Sequence, residues 1–375
     1  MGEEKVNPSY EPGGVPVRRC RTLSESCEGP EKTGSLKRAA SPARTVSVHP
    51  FEPGELDVAI LREMYRSGKV TLSGIDPRLN ATRVARSLHV GRARVAARLK
   101  WWKESGFVRK YAVWLNPALI GWHGAWAGVQ VDHHRSKDAL FRRLALVDGV
   151  VSAMDFVGPW VSVALVAPDP ETLQRRLDLI RHLVGVTDIE GPVPWRIAEP
   201  KRPLTPLEIR IVRALRAEPA ATLSAIARRV GISTRTMTRK YSELVESLAV
   251  WFVPILDFTA LTHPVVSLNV KVDSDLDRAT LSRRIRSRFP LTLDFGSTGI
   301  GPDLPPQELQ FFVTLPSAAS LEELEQFVES IDGVRTIDSY IMIRIYDYPV
   351  WFDQHLETIS RDLASGSRAR GRKSR

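Results

Sequence analysis

The sequence predicts an α+β chain of tandem winged helix-turn-helix and ferredoxin-like (βαββαβ) domains, duplicated so that one two-part unit occurs twice. Three observations carry this. Residues 84–108, VARSLHVGRARVAARLKWWKESGFV, align without a gap with residues 226–250, IARRVGISTRTMTRKYSELVESLAV. In both segments apolar positions recur at helical spacing, break at a tight turn and resume on a basic helix, which is the pattern of a helix-turn-helix. Downstream of each, the period changes to strand–helix–strand–strand–helix–strand, and Val131-Asp132, Asp155-Phe156 and Gly185-Val186 recur as Val272-Asp273, Asp294-Phe295 and Gly333-Val334.

The elements follow in order. Residues 1–50 are rich in Gly, Pro, Ser, Glu and Arg and poor in large apolar residues, so they are expected to form a disordered tail. The first winged helix-turn-helix is placed at 51–117. Leu56, Ile60, Leu61 and Met64 make its first helical stripe, Gly74–Pro77 a loop, and Asn80 a cap for the second helix. A turn at His89-Val90-Gly91 opens the recognition helix, Ser105-Gly106 ends it, and Phe107–Leu115 reads as a wing strand. The ferredoxin-like domain at 118–199 has strands at 125–131, 150–156, 160–166 and 186–197 and helices at 137–146 and 170–183.

A Pro-Lys-Arg-Pro linker leads into the second winged helix-turn-helix, 200–260. Thr205-Pro206-Leu207-Glu208 is a strong helix start, with an N-cap, a first-position proline and a capping-box glutamate. Helices are expected at 223–230 and 234–247, and the matching wing strand at 250–256. The second ferredoxin-like domain, 261–347, has strands at 265–272, 291–295, 308–315 and 334–345, helices at 277–288 and 321–330, and a Gly/Pro-rich loop at 296–306. Residues 348–375 are expected to be a C-terminal helix and a basic tail.

Composition narrows the function. The 53 Lys and Arg residues against 43 Asp and Glu give a formal charge of +10, which suits a polyanionic partner. There is no apolar run long enough to span a bilayer and no basic-then-apolar leader, so a cytoplasmic protein without membrane association is expected. The two cysteines, Cys20 and Cys27, both fall in the tail, which argues against a disulfide framework or a cysteine zinc site.

The chemistry sits on the two recognition helices. The first presents Arg92, Arg94 and Arg98 outward, with Val95 and Leu99 inward. Arginine can grip guanine O6 and N7 with a bidentate fork, and helix N-terminal residues approach base edges in this motif. The second offers Ser233, Thr234, Arg235, Thr236 and Arg239, whose hydroxyls bond phosphates or bases. Two unlike helices should read unlike half-sites; the alternative is a second copy kept for architecture. Trp102 is placed in the core, Trp101 either exposed or at a domain contact. His133-His134 is not a metal pair, because adjacent strand residues point to opposite faces. No phosphate-cradling glycine loop or nucleophile elbow stands in the right context, and no cofactor is expected. Asp155 and Asp294 recur at strand ends before a glycine, where they either orient a small ligand or cap a turn.

The segments LDVAILREM, RVARSLHVGRARVAARLKWWKESGFVRKYAVWLNP and MDFVGPWVSVALVAPD, with LEIRIVRAL and AIARRVGISTRTMTRKYSELVES in the second copy, resemble the Lrp/AsnC family of transcription regulators. The resemblance spans about residues 55–197 and again 204–347, a tandem duplication of a unit that family members carry once. It implies a sequence-specific regulator of double-stranded DNA rather than an enzyme. It implies Arg92, Arg94, Arg98, Arg235, Thr236 and Arg239 as DNA contacts. It also implies an amino-acid or other small effector near Asp155–Gly158 and Asp294–Gly296, and assembly into homo-oligomers. The two ferredoxin-like domains are then expected to pair as an internal pseudo-dimer, with the helix-turn-helices about one DNA turn, ~34 Å, apart. The arrangement also resembles siroheme decarboxylases, enzymes that bind a tetrapyrrole between paired ferredoxin-like domains. Their His- and Arg-bearing strand motif is replaced here by Met154-Asp155-Phe156-Val157-Gly158. A ligand-sensing scaffold that does not bind DNA is the third class.

Overall fold

A computed structural model describes residues 50–66, 81–195, 199–219, 221–294 and 307–359. The expected tail with Cys20 and Cys27, the 74–77 loop with Asn80, the 296–306 loop and the basic tail from 361 lie outside these residues.

The first half opens with helices α1 (Glu55–Arg66), α2 (Ala81–Ser87) and α3 (Arg92–Glu104), then strand β1 (Val108–Leu115) and a 3₁₀ turn, Pro117–Ile120. It continues with β2 (His123–Val131), α4 (Ser136–Leu144), β3 (Val150–Phe156), β4 (Trp160–Ala167), α5 (Pro170–Arg181) and β5 (Val186–Trp195). The same order then recurs. Helices α6 (Pro206–Ala217), α7 (Leu223–Val230) and α8 (Thr234–Glu246) lead to β6 (Val250–Leu256) and a 3₁₀ turn, Phe258–Ala260. Then come β7 (Val265–Val272), α9 (Arg278–Arg288), β8 (Thr292–Asp294), β9 (Glu308–Thr314), α10 (Ser320–Glu329) and β10 (Val334–Asp347). A last helix, α11, covers 350–359.

Local chemistry sets these boundaries. The Thr205 hydroxyl accepts from the Glu208 amide at 3.3 Å and the Glu208 carboxylate accepts from the Thr205 amide at 2.9 Å, a complete capping box before α6. Ser233 caps α8 by accepting from the Thr236 amide, and Asp277 caps α9 through the Ala279 and Thr280 amides. The turns match between halves more closely than the residues do. His89 (φ 54°) and Gly231 (φ 76°) make the left-handed step into α3 and α8. Gly106 (φ 79°) and Leu248 (φ 59°) make the step out of them. Leucine therefore holds a conformation that normally favours glycine, at a cost of roughly 1–2 kcal/mol that its partly buried side chain must offset.

Strands order as β5-β2-β4-β3 and as β10-β7-β9-β8, the ferredoxin-like order in each half. The two sheets share β10. Its first part, from Val334 to Ile341, pairs with β7, and its second, from Met342 to Asp347, pairs with β3, giving one eight-stranded sheet. Two apolar layers lie under the helices. One gathers Val129, Leu140, Leu144, Val163, Leu177 and Ile180 under α4 and α5. The other gathers Leu268, Leu281, Ile285, Phe311, Leu324 and Val328 under α9 and α10.

The strands after α3 and α8, expected from the sequence as wing strands, are buried against each other. β1 pairs antiparallel with β6, with Tyr111 opposite Pro254, Ala112 opposite Val253 and Trp114 opposite Trp251. Every residue of β6 is buried, and so is the C-terminal half of β1. A strand that apolar throughout leaves the surface and finds a partner, and each strand here is the other's. The pairing also closes at its ends: Asn116 donates its backbone N–H to the Ala249 carbonyl at 3.0 Å, and Asp257 donates to the Phe107 carbonyl at 2.9 Å.

Candidate nucleic-acid interface

In the first half, α2, the His89 turn and α3 occupy the place expected of a helix-turn-helix. Val95 and Trp102 on α3 are fully buried, so the helix rolls its opposite side outward. Arg92 and Arg94, in its first turn, are exposed and make no ion pair among the described residues. Arg98 differs from the outward placement expected of it. Its Nε donates to Asp57 Oδ1 at 2.9 Å, its terminal nitrogen bonds Asp57 Oδ2, and it reaches the Glu52 carbonyl at 3.0 Å. Asp57, on α1, is 2% exposed and also accepts from the Trp102 indole at 2.7 Å. Phe51 and Trp101 flank the Arg98 guanidinium at 4.7 and 5.4 Å. Trp101 is half exposed and packs edge-on against Phe51, while Trp102 is in the core as expected. Arg98 is thus a tie between α3 and α1 and is turned away from the surface that Arg92 and Arg94 form.

A matching tie holds the second unit. Lys240 on α8 donates to Glu208 on α6 at 3.3 Å, and Arg202 grips the same carboxylate with both terminal nitrogens at 2.6 and 2.8 Å. Burial alone would raise the Glu208 carboxyl. The hydrogen bonds from Arg202, the Thr205 amide and hydroxyl, and Lys240 outweigh it and lower the group to about 2. The sign follows directly. A carboxyl depressed in the folded state contributes stability above its ordinary range and loses it as pH falls toward about 2. Glu208→Gln is expected to cost ~3 kcal/mol of stability at pH 7, a difference that shrinks as pH falls below the ordinary carboxylate range and vanishes near pH 2. Urea midpoints measured across pH 2–7 check this; a constant difference between the two proteins would refute it.

The surface of α8 is polar. Ser233, Thr234, Arg235 and Arg239 are exposed and Thr236 is half-buried. Ser233 Oγ lies 2.9 Å from Thr236 Oγ1 and accepts from the Thr236 amide at 3.1 Å, so these two hydroxyls are engaged in capping. Arg239 pairs with Glu243 one turn on, and Arg235 makes no ion pair among the described residues.

Of the residues expected around an effector, Asp155, Gly158 and Asp294 fall among the described residues. Asp155 is 8% exposed and accepts from Lys137 Nζ, itself buried, at 2.9 Å. That ion pair lies under α4, on the helix-covered side of the sheet, so Asp155 serves packing there. Gly158 takes φ 85° in the turn between β3 and β4, with open space around it. Asp294 ends β8 opposite Phe311, and Gly296 lies outside the described residues. His133 and His134 lie in the turn after β2 rather than on a strand, their rings tilted at 33° with centroids 4.4 Å apart, and no group of potential ligands among the described residues could hold a metal ion.

Sequence reasoning missed a cavity of about 410 Å³ on the uncovered side of the shared sheet. Trp126, Met154 and Trp160 face it from one half, and Asn269, Phe312 and Tyr340 from the other. Phe107, Val253 and Leu256, in or beside the β1–β6 pair, also line it. The signal was present in the alternation: the positions that do not pack under helices carry Trp126 on β2, Trp160 on β4 and Phe312 on β9, beside the polar Ser162 on β4 and Ser267 and Asn269 on β7.

Residues 204–247, α6 to the end of α8, match the family model for winged helix-turn-helix DNA-binding domains. The chain therefore contains a winged helix-turn-helix domain. No curated protein matches the chain at a significant level. Among solved structures, the siroheme decarboxylase NirDL is similar over 83% of this chain and 100% of its own, at 15% identity and a TM-score of 0.44. AsnC of E. coli is similar over 37% of this chain and 90% of its own, at 17% identity and a TM-score of 0.26. The regulator NMB0573 of Neisseria meningitidis, in complex with L-Met, covers 37% of this chain and 86% of its own, at 22% identity and a TM-score of 0.26. All three scores fall below 0.5, and the fold stands on its own strand order and register. No helix among the described residues is long and apolar enough to cross a membrane.

Proposed function

We propose that the chain is a sequence-specific regulator that binds double-stranded DNA in the manner of the Lrp/AsnC type, acts in the cytoplasm and performs no catalysis. The observation that supports it most is the second helix-turn-helix: its residues match a DNA-binding family model, and its recognition helix exposes Thr234, Arg235 and Arg239. The first unit has the same hinge geometry and exposes Arg92 and Arg94. In this reading a tandem duplication supplies both halves of a dimeric reader within one chain, with β1 and β6 as its internal seam. The N-terminal turns of α3 and α8 enter successive major grooves, where arginine forks contact guanine and hydroxyls contact phosphate. A small effector such as an amino acid, and assembly of further copies, belong to the same reading.

The test is selection of bound duplexes from a random pool by the full chain at physiological salt. An enriched motif with two unlike half-sites one turn apart is expected; no enrichment would overturn the reading. Arg94→Ala is expected to cost ~1–3 kcal/mol in affinity and relax one base position, while unchanged affinity and unchanged preference would remove it from the contact set.

The cavity favours a second reading, a ligand sensor that binds no DNA, for which neutralising Arg92, Arg94, Arg235 and Arg239 together would leave function intact. An enzyme like the siroheme decarboxylases would instead show Soret absorbance in the purified protein.

A further inference from the structure

The cavity has a wall chemistry that DNA binding does not use. Its aromatic side is built across the seam between halves: Phe156 on β3 meets Tyr340 on β10 at 5.5 Å, and Trp160 on β4 meets the same ring at 6.2 Å. Gly128, mid-strand in β2, deepens it. A Cβ there would stand 3.5 Å from the Trp160 ring and 3.7 Å from the Glu190 carboxylate, so the missing side chain leaves both facing open space.

The charges at the wall are lopsided. Among the described lining residues the ionisable carboxylates are Asp57, Glu190, Glu308 and Asp338, and the single basic side chain is Lys271. Asp57 is consumed by Arg98, and Lys271 is neutralised by Glu308 at 3.8 Å. Glu190 and Asp338 are left, both exposed and neither in an ion pair among the described residues. They flank Tyr340, whose phenol is raised first by burial and then by the negative charge of Asp338 and Glu190. Two carboxylates beside three aromatic faces form a field that attracts a positive charge and repels a negative one. The volume suits a ligand of drug size.

We infer that this cavity binds a lipophilic organic cation, its apolar body between the eight-stranded sheet and the β1–β6 pair and its charge at Glu190 and Asp338. The same wall disfavours a polycarboxylate such as a tetrapyrrole, for which it offers one basic side chain, already paired.

The test is a matched pair of probes. Tetraphenylphosphonium and tetraphenylborate share shape and differ in sign of charge. Each is titrated into the full-length protein without DNA and followed by tryptophan fluorescence and calorimetry, so the outcome is separate from that of the regulator reading. The phosphonium is expected to bind ~10-fold or more tighter than the borate. Glu190→Gln combined with Asp338→Asn should weaken the phosphonium by ~10-fold, and Gly128→Leu should abolish binding, each with an unchanged melting temperature. Equal or tighter binding of the borate, tighter binding of coproporphyrin, or full affinity in the double variant would overturn the inference. The probe pair needs no variant, so misfolding of a mutant leaves the decision intact.

Discussion

Replacing Asp57 with alanine is expected to lower folding stability by ~3–5 kcal/mol, measured by urea unfolding. The carboxylate is almost fully buried and satisfies three donors at once: the Arg98 guanidinium, the Trp102 indole and the Gly54 amide at 2.8 Å. Removing it strands an indole N–H in a site with no exposure and leaves a guanidinium without its counter-charge between two aromatic rings. The companion variant Arg98→Ala separates structure from recognition. If Arg98 is a tie, its loss lowers stability and leaves the sequence preference of bound DNA as it was, unlike Arg94→Ala. An Arg98→Ala protein of parental stability with an altered preference would show that Arg98 leaves Asp57 to read bases.

The second large effect concerns the seam. Trp251 is 1% exposed and stands opposite Trp114 in the β1–β6 pair. Trp251→Ala should cost ~3–5 kcal/mol, since removing a buried indole leaves a void that the surrounding core cannot fully close. Because β1 follows α3 and β6 follows α8, the same substitution is expected to loosen both recognition helices and weaken DNA binding on both half-sites together. Loss confined to one half-site would mean that each unit is held independently of the pair.

The local layer of this structure was legible in the chain. Runs of apolar residues, matched between the two halves, mark β3, β6 and β7 to the residue, and Thr205-Pro206-Leu207-Glu208 announces α6 with its capping box. What the chain hid were partners. Periodicity shows that Val250–Leu256 is a strand and does not show that its neighbour is Val108–Leu115, because pairing depends on distant register. Arg98 was misplaced for a different reason. It lies three residues after Val95 and four before Trp102, on the buried stripe, and charge outweighed position in the reading. Lys240 holds the same place between Met237 and Leu244, and Asp57 and Glu208 sit on the apolar stripes opposite. A base on one stripe facing an acid on the next is the signal that finds both ties. Asp155 is likewise opaque in the sequence, because its partner Lys137 sits on the helix upstream.

The shared strand bears on how the chain is made. Phe156 pairs with Met342 and Ser152 with Asp347, so the edge of β3 finds its partner only when the last strand arrives. Until then the β3 flank of the four-stranded layer is bare in addition to its permanent β5 edge, and bare flanks are where nascent chains stick to one another. The ribosome must deliver almost the entire second half before that flank closes. A chaperone that holds the emerging first half, or slow dilute synthesis, should therefore raise the yield of folded protein more than any change made near the exposed basic helices.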